Sequence, residues 1–243
     1  MTGPAGRTGS ELLIPALVLA GGLLLAAAIG GAFFYSAHKP ERTVSVTGAA
    51  SRTFDADLVK WRLSLARPVG DADLPSGFAQ VQQDLTNLRA QLMAAGVPDS
   101  AIIMQPPSAQ PVYSQQGRSG YNVMQPLYVL SADIDQVESI ALDPSRFLTS
   151  GMALEYSQLE YFFAGIAELK HALLGDATRD AKRRAEEIVG STGGTVGGVT
   201  SARAGVFQIT EPFSTEVSSF GVHNTSTRRK EITVTVHSAF RIR

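Results

Sequence analysis

From Leu12 to Ser36 the chain carries no charged side chain. At 1.5 Å per residue a helix of this length covers a hydrocarbon core of about 30 Å. Twelve of its residues are Leu, Ile, Val or Phe. On an insertion scale these contribute about −4 to −7 kcal/mol, from which the glycines and Pro15 subtract. The competing reading is a cleaved signal peptide, whose apolar core runs about 7 to 15 residues before a small-x-small site. Here the core is longer, and Tyr35-Ser36-Ala37 puts a bulky Tyr where a small residue is needed. The expectation is a short tail over 1–11, an uncleaved transmembrane anchor over 12–36 and one extracytoplasmic domain over 42–243. Charge does not orient it, because Arg7 and the amino terminus face Lys39, Arg42 and Arg52 across the span. Gly22, Ala26 and Gly30 recur every four residues, a spacing that lets membrane helices approach closely.

With 21 basic and 22 acidic side chains the chain has no global field toward nucleic acid, and no nucleic-acid partner is expected. The absence of cysteine excludes disulfides, Cys-ligated zinc and thiol catalysis, and it fits an oxidising envelope compartment.

Beyond the anchor, Val44 and Val46 alternate with polar neighbours, and Val59, Trp61, Leu63 and Leu65 share a face against Lys60, Arg62 and Ser64. The two runs read as a strand pair with one wet side, and Trp61 as core. Phe78, Val81, Leu85, Leu88 and Leu92 fall at helical spacing, with Ser76 as N-cap and Gly96 and Pro98 as the stop. A second strand pair spans 101–113 and 121–131, where Pro106, Pro107, Pro111 and Pro126 demand edges or irregularities. Asp133 or Ser131 caps a short helix carrying Ile134, Val137 and Ile140, followed by Phe147, Leu148 and a stop at Gly151. "LEYSQLEYFF" reads as a strand with a bulge near Ser157 and Gln158.

The longest helix is expected over 166–189, with Leu169, Leu173, Ala177, Ala181, Ala185 and Ile188 on its apolar face. Asp180 with Arg184 and Arg183 with Glu187 are i,i+4 pairs. "VTSARAGVFQIT" is extended, and Ile232, Val234, Val236, Phe240 and Ile242 alternate in a terminal strand. The order ββα, ββα, βα, ββ argues an α+β domain: mainly antiparallel sheet with helices packed on one face. A weak ββα duplication is conceivable, without any residue-level repeat.

Candidate chemistry is sparse. His38, His171, His223 and His237 are dispersed without metal-ligand spacing. Asp133 with Asp135, and Asp55 with Asp57, read as capping and strand-entry residues rather than cation ligands. Arg179, Lys182, Arg183 and Arg184 are interleaved with carboxylates as on a solvated helix face. No G-x-S-x-G turn frames a nucleophile, and His223 is the one base near the hydroxyl-rich loop. Asn224-Thr225-Ser226 is formally a glycosylation sequon. No enzyme, cofactor or metal centre is expected.

The feature that needs a reason is "ITEPFSTEVSSFGVHNTSTRRKEITV", a loop of roughly twenty residues before the last strand. Loops this long inside a domain are functional or disordered. Val206, Phe207, Ile209, Phe213, Val217 and Phe220 give it apolar anchors that a disordered linker would lack.

"VSVTGAASRTFDADLVKW", "YVLSADIDQVESI", "LLGDATRDAKRRAEEIVGSTGGTVGGV", "ARAGVFQITEPFSTEVSSFG" and "TSTRRKEITVTV" follow one another in an order that resembles the SIMPL-domain family. Its bacterial members include a periplasmic immunogenic protein and an oxidative-stress defence protein. The resemblance runs over 42–243 and implies an α+β envelope domain outside the bacterial inner membrane. It implies an ordered loop, offers no catalytic residues to carry over, and suggests large ring or channel-like oligomers, as in some relatives. The leading expectation is a single-pass, non-enzymatic envelope protein, with a link to envelope or oxidative stress implied by the resemblance. It self-associates through strand edges and the loop Glu211 to Lys230, with Phe213, Ser214, Thr215, Glu216, Val217, Phe220, His223 and Asn224 at the contact. The alternative is a monomeric or dimeric periplasmic module binding a protein or small molecule.

Overall fold

The structure, a computed structural model, describes residues 10–37, 42–115, 117–146 and 153–243. The expectations for Arg7, His38, Lys39, Phe147, Leu148 and Gly151 lie outside the described residues. In chain order the elements are α1 (Ser10–Ala37), β1 (Thr43–Asp55), β2 (Leu58–Val69), α2 (Leu74–Ala94), β3 (Ile102–Met104), β4 (Ser108–Ser114), β5 (Gly117–Ser131) and α3 (Ile134–Ala141). Then follow β6 (Ala153–Phe162), α4 (Ile166–Gly190), β7 (Val196–Ala204), β8 (Gln208–Thr210), β9 (Val222–His223) and β10 (Arg229–Ile242).

The strands form two five-stranded sheets, antiparallel except where β9 runs parallel to β8. In one, β10 pairs along its length with β1, from Thr43 opposite Arg241 to Asp55 opposite Arg229. The other edge of β10 takes β7 and then β8. In the second sheet β2 lies between β5 and β6, and β3 and β4 share the outer edge of β5. The expected pairing of the first two strands is therefore wrong, since β1 and β2 belong to different sheets. The reason lies in the two residues between them. Ala56 N–H donates to Arg228 O at 2.9 Å and Asp57 N–H to Phe162 O at 3.0 Å, so the link is used up joining the sheets instead of closing a hairpin. Because β1 pairs with β10 from the far end of the chain while β2 to β6 form the other sheet, the two halves are not tandem ββα units.

Each sheet has its own helix layer and core. Val59, Trp61, Leu63 and Leu65 of β2 pack with Val81, Leu85, Leu88 and Leu92 of α2 and with Ile134 and Val137 of α3. Trp61 is core, its indole N–H donating to Ser157 Oγ at 2.9 Å. A forked pair between Arg67 of β2 and the buried Asp84 of α2 stitches sheet to helix. In the other layer Leu169, Leu173 and Ala177 of α4 meet Ile232, Val234 and Val236 of β10. The buried row of α4 keeps a strict i,i+4 step to Val189, leaving Ile188 53% exposed. That row is an i±4 ridge, which slants around the helix, so its sixth member is Val189 and not Ile188. At Gly48 of β1 a Cβ would stand 2.2 Å from Ala177 O and 2.3 Å from Ala181 N. A glycine facing alanines is what lets α4 lie this close.

Local details follow residue chemistry. Ser76 does not cap α2: Asp73 holds the N-cap position, and Ser76 Oγ–H donates to Asp73 O at 2.7 Å from inside the first turn. Gly96 (φ 93°) ends that helix. Asp133 caps α3, its Oδ1 accepting from Gln136 N at 3.1 Å, and Ser131 Oγ accepts from Asp133 N–H. Pro126 lies in a central strand, but its missing N–H faces the interruption between β3 and β4, where Gln105 N–H donates to Pro126 O at 3.0 Å. The β6 bulge is at Glu155, between the pairs Ser64–Tyr156 and Leu65–Leu154, two residues before its expected place. Arg183 pairs with Asp180, not Glu187, because Asp180 is already fixed by Ala49 N–H at 3.0 Å and Arg184 at 2.7 Å. Those contacts, led by the Ala49 N–H, hold the Asp180 carboxyl below its ordinary value. Outside both layers α1 is apolar all round: Pro15–Tyr35 has mean hydropathy 2.3 and none of it is buried. It fits a membrane anchor or a signal sequence.

Candidate functional site

The segment between β8 and β10 is an ordered loop with two tiers. The outer tier hangs from Gln208, whose Nε2–H donates to Ser218 O at 2.7 Å while its Oε1 accepts from Ser218 N–H at 3.3 Å. Ser214 Oγ accepts from Glu216 N–H, and Ser218 Oγ from Phe220 N–H, so these hydroxyls serve as local turn partners. Gly221 (φ 89°) makes the return, and a Cβ there would meet Phe207 O at 2.8 Å. Phe213, itself at φ 65°, is 97% exposed, Val217 80% and Phe220 95%. Thr215 and Glu216 are exposed beside them and Ser214 is half-buried. Three large apolar side chains are thus held outward by a backbone that is tied down.

The inner tier centres on Asn224. Its Oδ1 accepts from Ser226 N–H at 2.9 Å and from Thr227 N–H at 3.3 Å, and its Nδ2 donates to Glu211 Oε2 at 2.8 Å. Its backbone N–H donates to Ile209 O at 2.8 Å, and its carbonyl accepts from Lys230 Nζ at 2.6 Å. The side-chain amide that a sequon would offer for glycosylation is committed to holding the loop. The next residue carries the loop to the second sheet, Thr225 O accepting from Tyr161 N–H at 2.7 Å. Arg228 adds an ion pair to Asp135 at 2.5 Å.

Beneath this tier Lys230 is 2% exposed. It borders a partly open cavity of about 70 Å³ with Phe54, Tyr161, Phe163, Ile166, Ile209 and His223. Phe54 and Phe163 stack at a tilt with centroids 5.1 Å apart. Among the described residues no carboxylate lies within ion-pair distance of Lys230. Burial pushes its ammonium down to about 8. His223 stands at the cavity mouth, and partial desolvation of its ring, then Lys170 and Lys230, lower its pKa. Burial, reinforced by the hydrogen bond from its hydroxyl to Glu138 at 2.6 Å, raises Tyr161.

The structure thus brings His223 and Asn224 together over Lys230 and sets Phe213, Val217 and Phe220 apart on the outer tier. Lys230, Tyr161, Phe54 and Phe163 were missed as site residues. Lys230 alone left a signal, since it continues the even-numbered phase of Ile232, Val234 and Val236 onto the core face.

Most of the remaining candidates have structural partners. Asp57 Oδ1 accepts from Ala164 N–H at 2.8 Å before α4. Arg179, Lys182 and Arg184 pair with Asp176, Glu186 and Asp180 along one helix. His237 Nδ1 meets Thr47 Oγ1 at 2.8 Å on the wet face of the β1–β10–β7 sheet, in an open groove of about 470 Å³. A second groove of about 540 Å³ lies over Lys60, Arg62, Tyr128 and Tyr156. Among the described residues no group of three or more His, Asp or Glu is placed to hold a metal ion. On α1, Gly22 and Gly30 would give a Cβ nothing within 4 Å, and Ala26 is exposed with them.

An apolar N-terminal helix followed by two helix-backed antiparallel sheets, joined by an ordered loop, defines an α+β domain on a membrane-compatible leader. The sequence model of the SIMPL family, described as a protein of unknown function (DUF541), matches residues 44–240, and the chain belongs to that family. No curated protein matches the chain in sequence.

Proposed function

We propose that this is a non-enzymatic, single-pass inner-membrane protein of the bacterial envelope. Its domain stands outside that membrane and self-assembles through the outer tier of the loop. The observation that carries the reading is the exposure of Phe213 and Phe220, 97% and 95%, on a backbone fixed by the Gln208–Ser218 clamp. Burying each ring is worth about 1.5–3 kcal/mol, and a pinned loop loses little further entropy when it docks. The position favours a second copy over the lipid surface. β1 leaves α1 beside Arg241, and the loop flanks Glu231 at the far end of β10. Ten strand residues separate them, about 33 Å.

The test is the mass of the full-length protein in detergent, by light scattering on a sizing column. Phe213→Ser with Phe220→Ser is expected to shift a discrete oligomer to a smaller species with unchanged circular dichroism. An unchanged mass would sink the assignment. This pair is cleaner than deleting 213–225, which would also remove Asn224 and the Thr225 bond to Tyr161. A small-molecule module is the second reading, and the Lys230 cavity is the observation that favours it.

A further inference from the structure

We infer that the cavity beside Lys230 is a binding site for a small monocarboxylate, held by the buried ammonium with its alkyl end against the aromatic wall. An ammonium has three donors. Asn224 O takes one, at 2.6 Å, and the cavity lies alongside. A buried cation without a counter-charge is costly, and a carboxylate supplies that charge and accepts the two free N–H groups together.

Among the described residues the buried cation of the site has no carboxylate paired with it. The cations near the site are Lys230 on β10 and Lys170 on α4, whose Nζ lies 5.3 Å from the Phe207 ring centroid, and His223 on β9 stands at the mouth with its neutral form favoured. The carboxylates of Asp57, Glu138 and Glu211 are each hydrogen-bonded, to Ala164 N–H, the Tyr161 hydroxyl and Asn224 Nδ2, and none of them forms an ion pair with Lys230. α4 begins at the wall with Ile166, so its N-terminal dipole end adds to the positive potential.

Size and polarity set the class. At about 15 Å³ per water-sized group, 70 Å³ takes about four or five non-hydrogen atoms, the size of acetate or propionate. Phe54, Phe163, Ile166 and Ile209 offer nothing to a fully hydrated inorganic ion, and they suit a methyl or ethyl group.

The experiment uses the full-length protein in detergent, titrated with sodium propionate against sodium chloride at equal ionic strength. Binding is followed by equilibrium dialysis of labelled propionate. Saturable propionate binding that chloride does not match, weakened at least about tenfold in Lys230→Met, is the expected result. A readout on the unaltered chain stands beside it, in case the variant fails to fold. Reductive methylation of Lys230, measured by peptide mass spectrometry, should slow in propionate and not in chloride. Equal effects of the two salts, undiminished binding by Lys230→Met, or no protection of Lys230 would each overturn the proposal. None of these outcomes bears on the oligomer, whose mass is measured separately.

Discussion

Lys230 makes the fold sensitive to alkaline pH in an unusual direction. Its ammonium is disfavoured by burial, with a folded pKa of about 8 against an ordinary 10.5. In the unfolded chain the lysine stays protonated to higher pH, so between those values the unfolded state binds more protons and stability rises as pH rises. Below pH 8 that gain is absent, and its ceiling is about 3 kcal/mol. Tyr161 works against it near pH 10, because its raised pKa means that the unfolded chain loses that proton first. Chemical denaturation at pH 8 and pH 9.5 is expected to show a positive slope that Lys230→Met flattens; equal slopes would mean that the ammonium is solvated in the fold. Gly48 is a residue of the opposite kind, valued for what it lacks. Gly48→Ala would drive a Cβ into the backbone of Ala177 and Ala181, and a cost of about 1–3 kcal/mol or more is expected. Gly198→Ala, with nothing within 4 Å, is the control and should leave the urea midpoint nearly unmoved.

At the scale of elements, the loop divides into a part that holds and a part that displays. Asn224→Ala removes the acceptor for Ser226 and Thr227 N–H and the donor to Glu211, and it should cost about 2–4 kcal/mol by thermal unfolding. Phe213→Ser, fully outside the clamp, should leave the melting temperature of the dissociated domain unchanged. The reverse ranking would mean that the outer tier carries the fold. This division is also where sequence reading reaches its limit. The loop and its order were legible, but of the expected anchors only Phe207 and Ile209 pack into the core, while Phe213, Val217 and Phe220 point outward because hydrogen bonds of Gln208 and Asn224 hold the loop instead. Asn224 reads as a sequon or as one amide among many, since its partners come from β8, from the turn after it and from β10. The helices were legible through their 3.6-residue period, which is local. The partner of β1 was not, because alternation tells a strand which face is wet and says nothing of which strand, here one at the far end of the chain, lies beside it.

For the whole molecule the decisive geometry is that no residue of α1 from Pro15 to Tyr35 is buried, while Arg42 already belongs to a sheet through its carbonyl, which accepts from Ile242 N–H at 2.8 Å. Both cores are complete without α1, so a chain starting at Arg42 should fold with the melting temperature of the full-length domain and stay in solution without detergent. Its mass then separates two sources of assembly. If the domain builds the oligomer, the truncated chain keeps the discrete high mass and the Phe213 and Phe220 substitutions abolish it. If the mass falls to a monomer on truncation while the full-length protein stays associated, the open stripe of Gly22, Ala26 and Gly30 is the contact. Gly22→Ile with Gly30→Ile in the full chain should then dissociate it, because close helix approach in lipid depends on that missing bulk. Glu231, beside which the loop leaves β8, lies about 33 Å along β10 from Arg241, which faces the start of β1. A contact made there can tie together copies whose membrane helices never touch, and truncation should therefore leave the assembly intact.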